Sequence, residues 1–206
     1  MCYVRESTID DQHAARLREA VRLAYSTAAV APEATHPFPV GRALAESLAY
    51  PPEDLIALPT ISVDAFAGVS NVSVFSHLLP DMRVLDLGCG AGLDSLIACG
   101  RVGPGGVVLG VDFSAEMLKR ARQGMLLCGA DNIGFCQAAG ENLPVKHGAI
   151  DVAMVNGIFN LNPAREKIFR ELARVVRVGG SVYAAELILR EPLPPDVHAS
   201  DENWFA

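Results

Sequence analysis

The stretch that most restricts how this chain can fold is Arg83-Val-Leu-Asp-Leu87, which runs directly into Gly88-Cys-Gly-Ala-Gly92. Five residues of mainly apolar character predict a short buried strand, and the glycines predict a sharp turn beyond it. A helix is then predicted as far as Gly100. The pattern repeats down the chain. Val107–Val111 reads as a second strand closed by Asp112, and Ile133–Cys136 as a third. Ile150–Val155 reads as a fourth, apolar throughout except for Asp151, and Ser181–Leu189 as a fifth. Strands that alternate with helices and are apolar on both faces predict a parallel sheet covered on both sides, a doubly wound α/β fold.

The connecting helices carry their own boundary signals. Ser114 is placed to cap a helix with Met117, Leu118, Ala121 and Met125 on one face, ending by Gly129. Asn162-Pro163 reads as the opening of the next helix, with Ile168, Phe169, Leu172, Val175 and Val176 facing inward and Gly179-Gly180 as its stop. Before residue 80 the character is different. Leu17, Val21, Ala24 and Tyr25 recur at helical spacing behind the capping residues Thr8 to Asp11. A proline-rich passage, Pro32 to Pro39, precedes a shorter helix from Gly41 to Tyr50, stopped by Pro51-Pro52. Residues 53 to 80 read as short helix and loop. The expected organisation is a helical cap over residues 1–80 and an α/β domain over residues 81–206.

Composition narrows the partners. A formal charge of −7 leaves no basic stripe to neutralise a nucleic-acid backbone, so no nucleic-acid partner is expected. No apolar run has the length of a membrane span, and Met1 to Asp11 is too polar for a secretory signal. The five cysteines, Cys2, Cys89, Cys99, Cys128 and Cys136, are scattered and never spaced C-x-x-C. That excludes a disulfide framework or cysteine zinc site as the organising element, no metal is expected, and a reducing cytoplasm fits best.

In a doubly wound sheet, ligands sit beyond the carboxyl ends of the strands where the strand order reverses. The glycine loop falls there. It is not the Gly-x-Gly-x-x-Gly of a nicotinamide or flavin site, because Leu93 stands three residues after Gly90, and no Gly-Lys-Ser/Thr follows to make a nucleotide loop. Instead one acid, Asp86, precedes the glycines and another, Asp112, ends the second strand. Asp112 is placed to accept both hydroxyls of a ribose. Asp86 is placed to orient loop amides or meet an ammonium group. A ribose with an amino-acid head and no pyrophosphate describes S-adenosylmethionine better than a dinucleotide.

Four segments, Val84-Leu-Asp-Leu-Gly-Cys-Gly-Ala-Gly92, Gly110-Val-Asp-Phe-Ser114, Glu141-Asn-Leu-Pro144 and Arg174-Val-Val-Arg-Val-Gly-Gly180, resemble the class I S-adenosylmethionine-dependent methyltransferases. Phe135 to Pro144 and Asn156-Gly-Ile-Phe-Asn-Leu161 are similar to the arsenite methyltransferase-like branch. The likeness covers roughly residues 80 to 200. It implies Asp86, Gly88 and Gly90 around the methionine part of the cofactor and Asp112 on the ribose, with Phe113 beside the adenine. It also implies Gly140 and Glu141 at the adenine edge and Asn156 near the reactive sulfur. One departure is Ala139, where the family often has an acid reaching the adenine amino group; one such hydrogen bond contributes on the order of 1 kcal/mol. Structural readings stand beside these roles. Asp86 also reads as an acid serving local amides, Glu141 as a solvated loop acid, and Met117 and Cys89 as packing.

The acceptor is less constrained. His36, Tyr25 and His147 are the candidate bases, though a lone histidine reads first as a structural or surface residue. Arsenite would need converging thiolates, yet the places where the resemblance puts them hold Ser95, Gly157 and Phe159. A small organic acceptor is therefore expected, with Tyr25, Phe159 and the Pro37-Phe-Pro39 segment lining its pocket. The family usually completes the sheet with two further strands, which Glu191 to Ala206 is too short to supply. Either the α/β domain is C-terminally incomplete in this sequence, or the fifth strand is an apolar edge that a second copy covers as a homodimer. A cofactor-binding module without transferase activity is the main rival function.

Overall fold

The computed structural model describes residues 11–188. The chain opens with helix α1 (Asp11–Val30), whose Leu17, Val21 and Ala28 are buried. Four short helices follow: α2 (Arg42–Ser47), α3 (Pro52–Ala57), α4 (Thr60–Val63) and α5 (Val72–Phe75). Pro51-Pro52 both ends the region of α2 and opens α3, since Pro52 occupies a first-turn position where no backbone donor is needed. Gly41, at φ 88°, and not a helical residue, precedes α2.

The rest alternates as expected: β1 (Arg83–Leu87), α6 (Leu93–Val102), β2 (Val107–Asp112), α7 (Ala115–Cys128), β3 (Ile133–Gln137), β4 (Ile150–Asn156), α8 (Arg165–Val175) and β5 (Val176–Ala185). All pairings are parallel, in the order β3-β2-β1-β4-β5. The order reverses at β1, between β2 and β4, which fixes where a crevice can open. Leu85, Leu87, Val111, Val155, Ile168 and Leu172 pack one face of the sheet beneath α8. Val84, Val108, Met154, Leu96 and Val102 pack the other beneath α5 and α6. No strand follows β5 among the described residues.

Ser114 caps α7 by accepting from Met117 N at 3.2 Å, and Gly129 ends that helix in the left-handed region at φ 61°. The same Ser114 hydroxyl meets Ser26 Oγ of α1 at 2.9 Å. Arg120 of α7 also reaches Ile61 O at 3.2 Å and Ala29 O. A capping residue thus also fixes the first helix.

The last helix departs from expectation. It begins at Arg165, with Asn162 Oδ1 accepting from Ala164 N ahead of it, and ends at Val175. Val176 is already extended, so Gly179-Gly180 lies inside β5 and not at a helix stop. Ile150 pairs with Val176, but Val152 pairs with Ser181, so β5 carries a bulge between them. A Cβ on Gly180 would stand 2.6 Å from Asp151 O, and Gly179 sits at φ 78°. The glycines let the bulge pass against the β4 backbone. β5 also begins five residues before the expected Ser181 and ends at Ala185, since residues 186–188 are not in strand; the expected Leu189 end lies outside the described residues. Asp151, the one acid of β4, is also explained: it accepts from Arg83 N at 2.7 Å and from Arg177 Nε at 2.6 Å at the amino end of the sheet.

Ser114→Ala removes the cap acceptor and the α1 contact together. The expected loss is about 1–2 kcal/mol of unfolding free energy, read from the midpoint and slope of a urea titration.

Candidate active site

Above the carboxyl ends of β1, β2 and β4 lies a cleft of about 180 Å³ that opens to solvent. Its floor is the glycine loop. Gly88 N and Cys89 N both donate to Val111 O, at 2.8 and 3.1 Å, which folds the loop over β2. Gly90 N donates to Asp112 Oδ2 at 2.9 Å. Gly88 and Gly90 adopt φ of 76° and 51°, which side chains seldom tolerate. Gly88 is also sterically required, since a Cβ there would meet Ile158 Cγ2 at 2.4 Å. Beyond Gly90 the space is open, with Met117 Sδ the one atom near, at 3.8 Å.

Asp112 sits at the centre of this geometry. Its second oxygen accepts from Ser114 N at 2.8 Å, so the carboxylate holds the loop and the α7 entrance simultaneously. Each carboxylate oxygen has two lone pairs, so acceptor capacity remains toward the cleft. Desolvation pushes its pKa up to about 6 against the pull of the backbone amides. Asp86 is buried and accepts from Ser95 Oγ at 2.5 Å. Desolvation first, then the charge of Asp94, drives its pKa upward.

The other expected residues distribute around this floor. Phe113, Ala139, Gly140 and Glu141 all line the cleft. Arg18 Nε approaches Glu141 Oε1 at 3.3 Å, close enough for an ion pair but without hydrogen-bond alignment, so that oxygen is left buried and unsatisfied. Met117 is both core and wall. Tyr25 lines the cleft and stacks on Phe38 with centroids 4.4 Å apart; burial and then the Asp112 charge keep its phenol protonated. Phe38 itself stays behind that ring. Cys89 is buried, and desolvation with the neighbouring carboxylates pushes its thiol well up, as suits a packing residue.

Two expectations change. Phe159 does not line the cleft: Gly157, at φ 77°, turns the chain after β4, and Phe159 is buried in the core, stacked on Phe169 at 4.5 Å. Ile158 takes the wall position. Asn156 lines the cleft, but its amide is fully used. Its oxygen accepts from Val69 N and Ser70 N at 2.9 and 3.2 Å, and its nitrogen donates to Ser70 O and Asp94 Oδ2 at 2.7 and 2.9 Å. No hydrogen-bonding position is left for a ligand.

Asp94, Arg18, Phe66, Gly68 and Ile158 are wall residues that the sequence did not single out. Asp94 reads in sequence as an ordinary first-turn acid of α6, and its partners lie too far along the chain to leave a local signal. His36 and His147 are absent from the lining. His36 instead places Nε2 2.9 Å from Ala31 O. No cluster of His, Cys, Asp or Glu among the described residues could hold a metal ion.

The charged lining consists of Asp86, Asp94, Asp112 and Glu141 facing Arg18. An acidic cleft with a glycine floor, a hydroxyl-accepting carboxylate and no basic phosphate cradle suits a cationic adenosyl group such as S-adenosylmethionine. Fold and cleft together define the class I S-adenosylmethionine-dependent methyltransferases. The chain belongs to the methyltransferase-domain family, whose pattern matches residues 78–205. Among curated proteins it is 34% identical over 158 residues to an arsenite methyltransferase of Halobacterium salinarum, covering 77% of this chain and 40% of that protein. It is 33% identical over 108 residues to a demethylmenaquinone methyltransferase of Lactococcus lactis, covering 52% and 43%. Among solved structures, an arsenic(III) S-adenosylmethionine methyltransferase from Chlamydomonas reinhardtii superposes with a TM-score of 0.65 at 29% identity. That match covers 73% of this chain and 54% of the other. The chain thus spans less than half the length of these curated relatives.

Asp86 and Asp112 titrate higher when folded than when unfolded, so the native state holds more protons than the unfolded chain from about pH 4 upward. Their contribution to stability is complete below the unfolded pKa and is lost as pH rises through the folded values. Urea titrations of the unliganded protein should show Asp86→Asn flattening the decline in stability between pH 5 and pH 8. An unchanged slope would remove Asp86 from the account.

Proposed function

We propose that this chain transfers a methyl group from S-adenosylmethionine to a small, apolar organic acceptor. The observation that carries the reading is the Gly90–Asp112 contact, which sets a ribose-accepting carboxylate against a glycine floor inside an acidic cleft. Asp112 holds the ribose hydroxyls. Asp86, Gly88 and Gly90 surround the methionine part, and Phe113, Gly140 and Glu141 border the adenine. When bound, the cofactor supplies an electrophilic methyl group on a sulfonium. The protein's contribution is alignment and exclusion of water, and alignment alone is worth up to about 7–11 kcal/mol in favourable cases.

The acceptor end is bounded by Phe66, Ala67, Gly157, Ile158 and Leu161. That lining favours an apolar molecule, as the demethylmenaquinone methyltransferase relative suggests. Among the described residues lining the cleft there is no histidine, and burial keeps Tyr25 protonated, so any general base for the acceptor falls to carboxylates such as Asp86, Asp94 and Asp112. Trivalent arsenic is disfavoured despite the arsenite relatives. Cys89 is the one thiol among the described lining residues, and burial holds it protonated. Residues 1–80 act as a cap on this site, with Arg18, Val21 and Tyr25 of α1 facing the cleft.

Calorimetry with S-adenosylhomocysteine tests the cofactor site, and Asp112→Ala should lower its affinity at least tenfold. Titrating S-adenosylmethionine itself near pH 6 in buffers of different ionisation enthalpy should reveal proton release, because a cation beside Asp112 and Asp86 favours their charged forms. Formation of S-adenosylhomocysteine with 1,4-naphthohydroquinone, but not with arsenite and glutathione, is the expected acceptor result. Binding without transfer to any acceptor would leave a cofactor-binding module.

A further inference from the structure

The residues around Asn156 form a polar brace that the cofactor site does not use. Its amide is saturated by Val69 N, Ser70 N, Ser70 O and Asp94 Oδ2. Asp94, itself buried, accepts in addition from Tyr50 Oη at 2.7 Å, from Ser73 N at 3.2 Å and from Ser73 Oγ. Tyr50 is a stable donor here, since burial and then the Asp94 charge raise its pKa far above neutrality. One carboxylate and one amide therefore join the end of β4, the start of α6 and the chain between α2 and α5.

What they join is a wall of the cleft. Phe66, Ala67 and Gly68 line it, as do Gly157 and Ile158. The fit is tight at two points. A Cβ on Gly68 would stand 2.6 Å from Asn156 Nδ2 and 2.7 Å from the Phe66 ring, and a Cβ on Gly157 would stand 2.9 Å from Val69 Cγ1. The Phe66 ring is held in turn by an edge contact to Tyr50, centroids 5.2 Å apart. Ile158 abuts the position of Gly88. The braced segment therefore packs on Asn156 and Gly157, next in the chain to the Ile158 that abuts Gly88.

We propose that Asn156 and Asp94 are positioning residues that hold residues 66–70 as a fixed acceptor-side wall. They govern acceptor recognition and leave cofactor affinity largely untouched. The acceptor part of this inference rests on the methyl-transfer reading above; the fixed wall does not. Asn156 differs on this account from Asp112, whose acceptor capacity still faces the cleft.

The brace makes two backbone amides into reporters, because Asn156 Oδ1 is the acceptor for Val69 N and Ser70 N. In the full chain, Asn156→Ala should speed hydrogen exchange at those two amides at least tenfold while Leu85 and Val108 exchange as before. Tyr50→Phe, which leaves the amide in place, should give a smaller rise at the same positions. Affinity for S-adenosylhomocysteine should stay within threefold in both variants. With 1,4-naphthohydroquinone as acceptor, KM should rise at least tenfold in Asn156→Ala and in Gly68→Ala, by more than kcat falls. Unchanged exchange at Val69 and Ser70, or a general rise that includes Leu85, overturns the fixed wall. A tenfold loss of S-adenosylhomocysteine affinity with the two amides still protected makes Asn156 a cofactor contact and overturns the inference. An unchanged KM overturns the acceptor role alone. Failure of the unmodified protein to bind S-adenosylhomocysteine or to methylate 1,4-naphthohydroquinone counts against the proposed function instead, and the exchange result still decides the wall.

Discussion

The amide of Gly90 donating into the carboxylate of Asp112 is the contact on which the rest of the site depends. It ties the turn after β1 to the end of β2, while Gly88 and Cys89 reinforce the tie through Val111 O. The other oxygen of Asp112 receives the amide of Ser114, so the start of α7 is set by the same group. Ser114 then touches Ser26 and thereby fixes α1, which forms a wall of the cleft. A single buried carboxylate thus links floor, flank and cap. Its raised pKa is the electrostatic cost of that position, only partly offset by the amides it holds.

Much of this was legible in the sequence because the signals were local. The apolar run before Gly88, the capping Ser114 with Gly129 fourteen residues past the first helical turn position, and the acid closing β2 each act over a few residues. They appear in the structure where the pattern puts them. Gly179-Gly180 was misleading for an equally physical reason. Paired glycines serve a helix stop and a strand bulge alike, and the choice was made by the β4 backbone, which leaves no room for a Cβ at Gly180. Phe159 is in the core and Ile158 on the wall because Gly157, at φ 77°, turns the chain at the strand end. The roles of Asn156 and Asp94 could not be read at all, since their partners are dozens of residues away and none has a fixed spacing.

The cleft is assembled from distant segments, and its polarity follows from that assembly. The α/β body supplies three aspartates and the glycine floor, whereas the preceding helical region supplies Arg18, Tyr25 and the apolar residues Phe66 and Ala67. Acid on one side and apolar surface on the other suit a reaction in which a cationic donor meets a neutral or weakly charged acceptor. On the proposed reading, the body would bind the donor and the front of the chain would shape what can approach it.

The two ends of the sheet answer acid differently. At the amino end Asp151 lies between Arg83 and Arg177, and those hydrogen bonds hold its carboxyl far below the ordinary carboxylate range. At the carboxyl end Asp112 and Asp86 are displaced the other way. The foundation of the β1–β4–β5 side therefore keeps its charge through the whole interval in which the mouth of the crevice gains or loses protons. Mild acidification can thus neutralise carboxylates in the crevice while Asp151 keeps its charge.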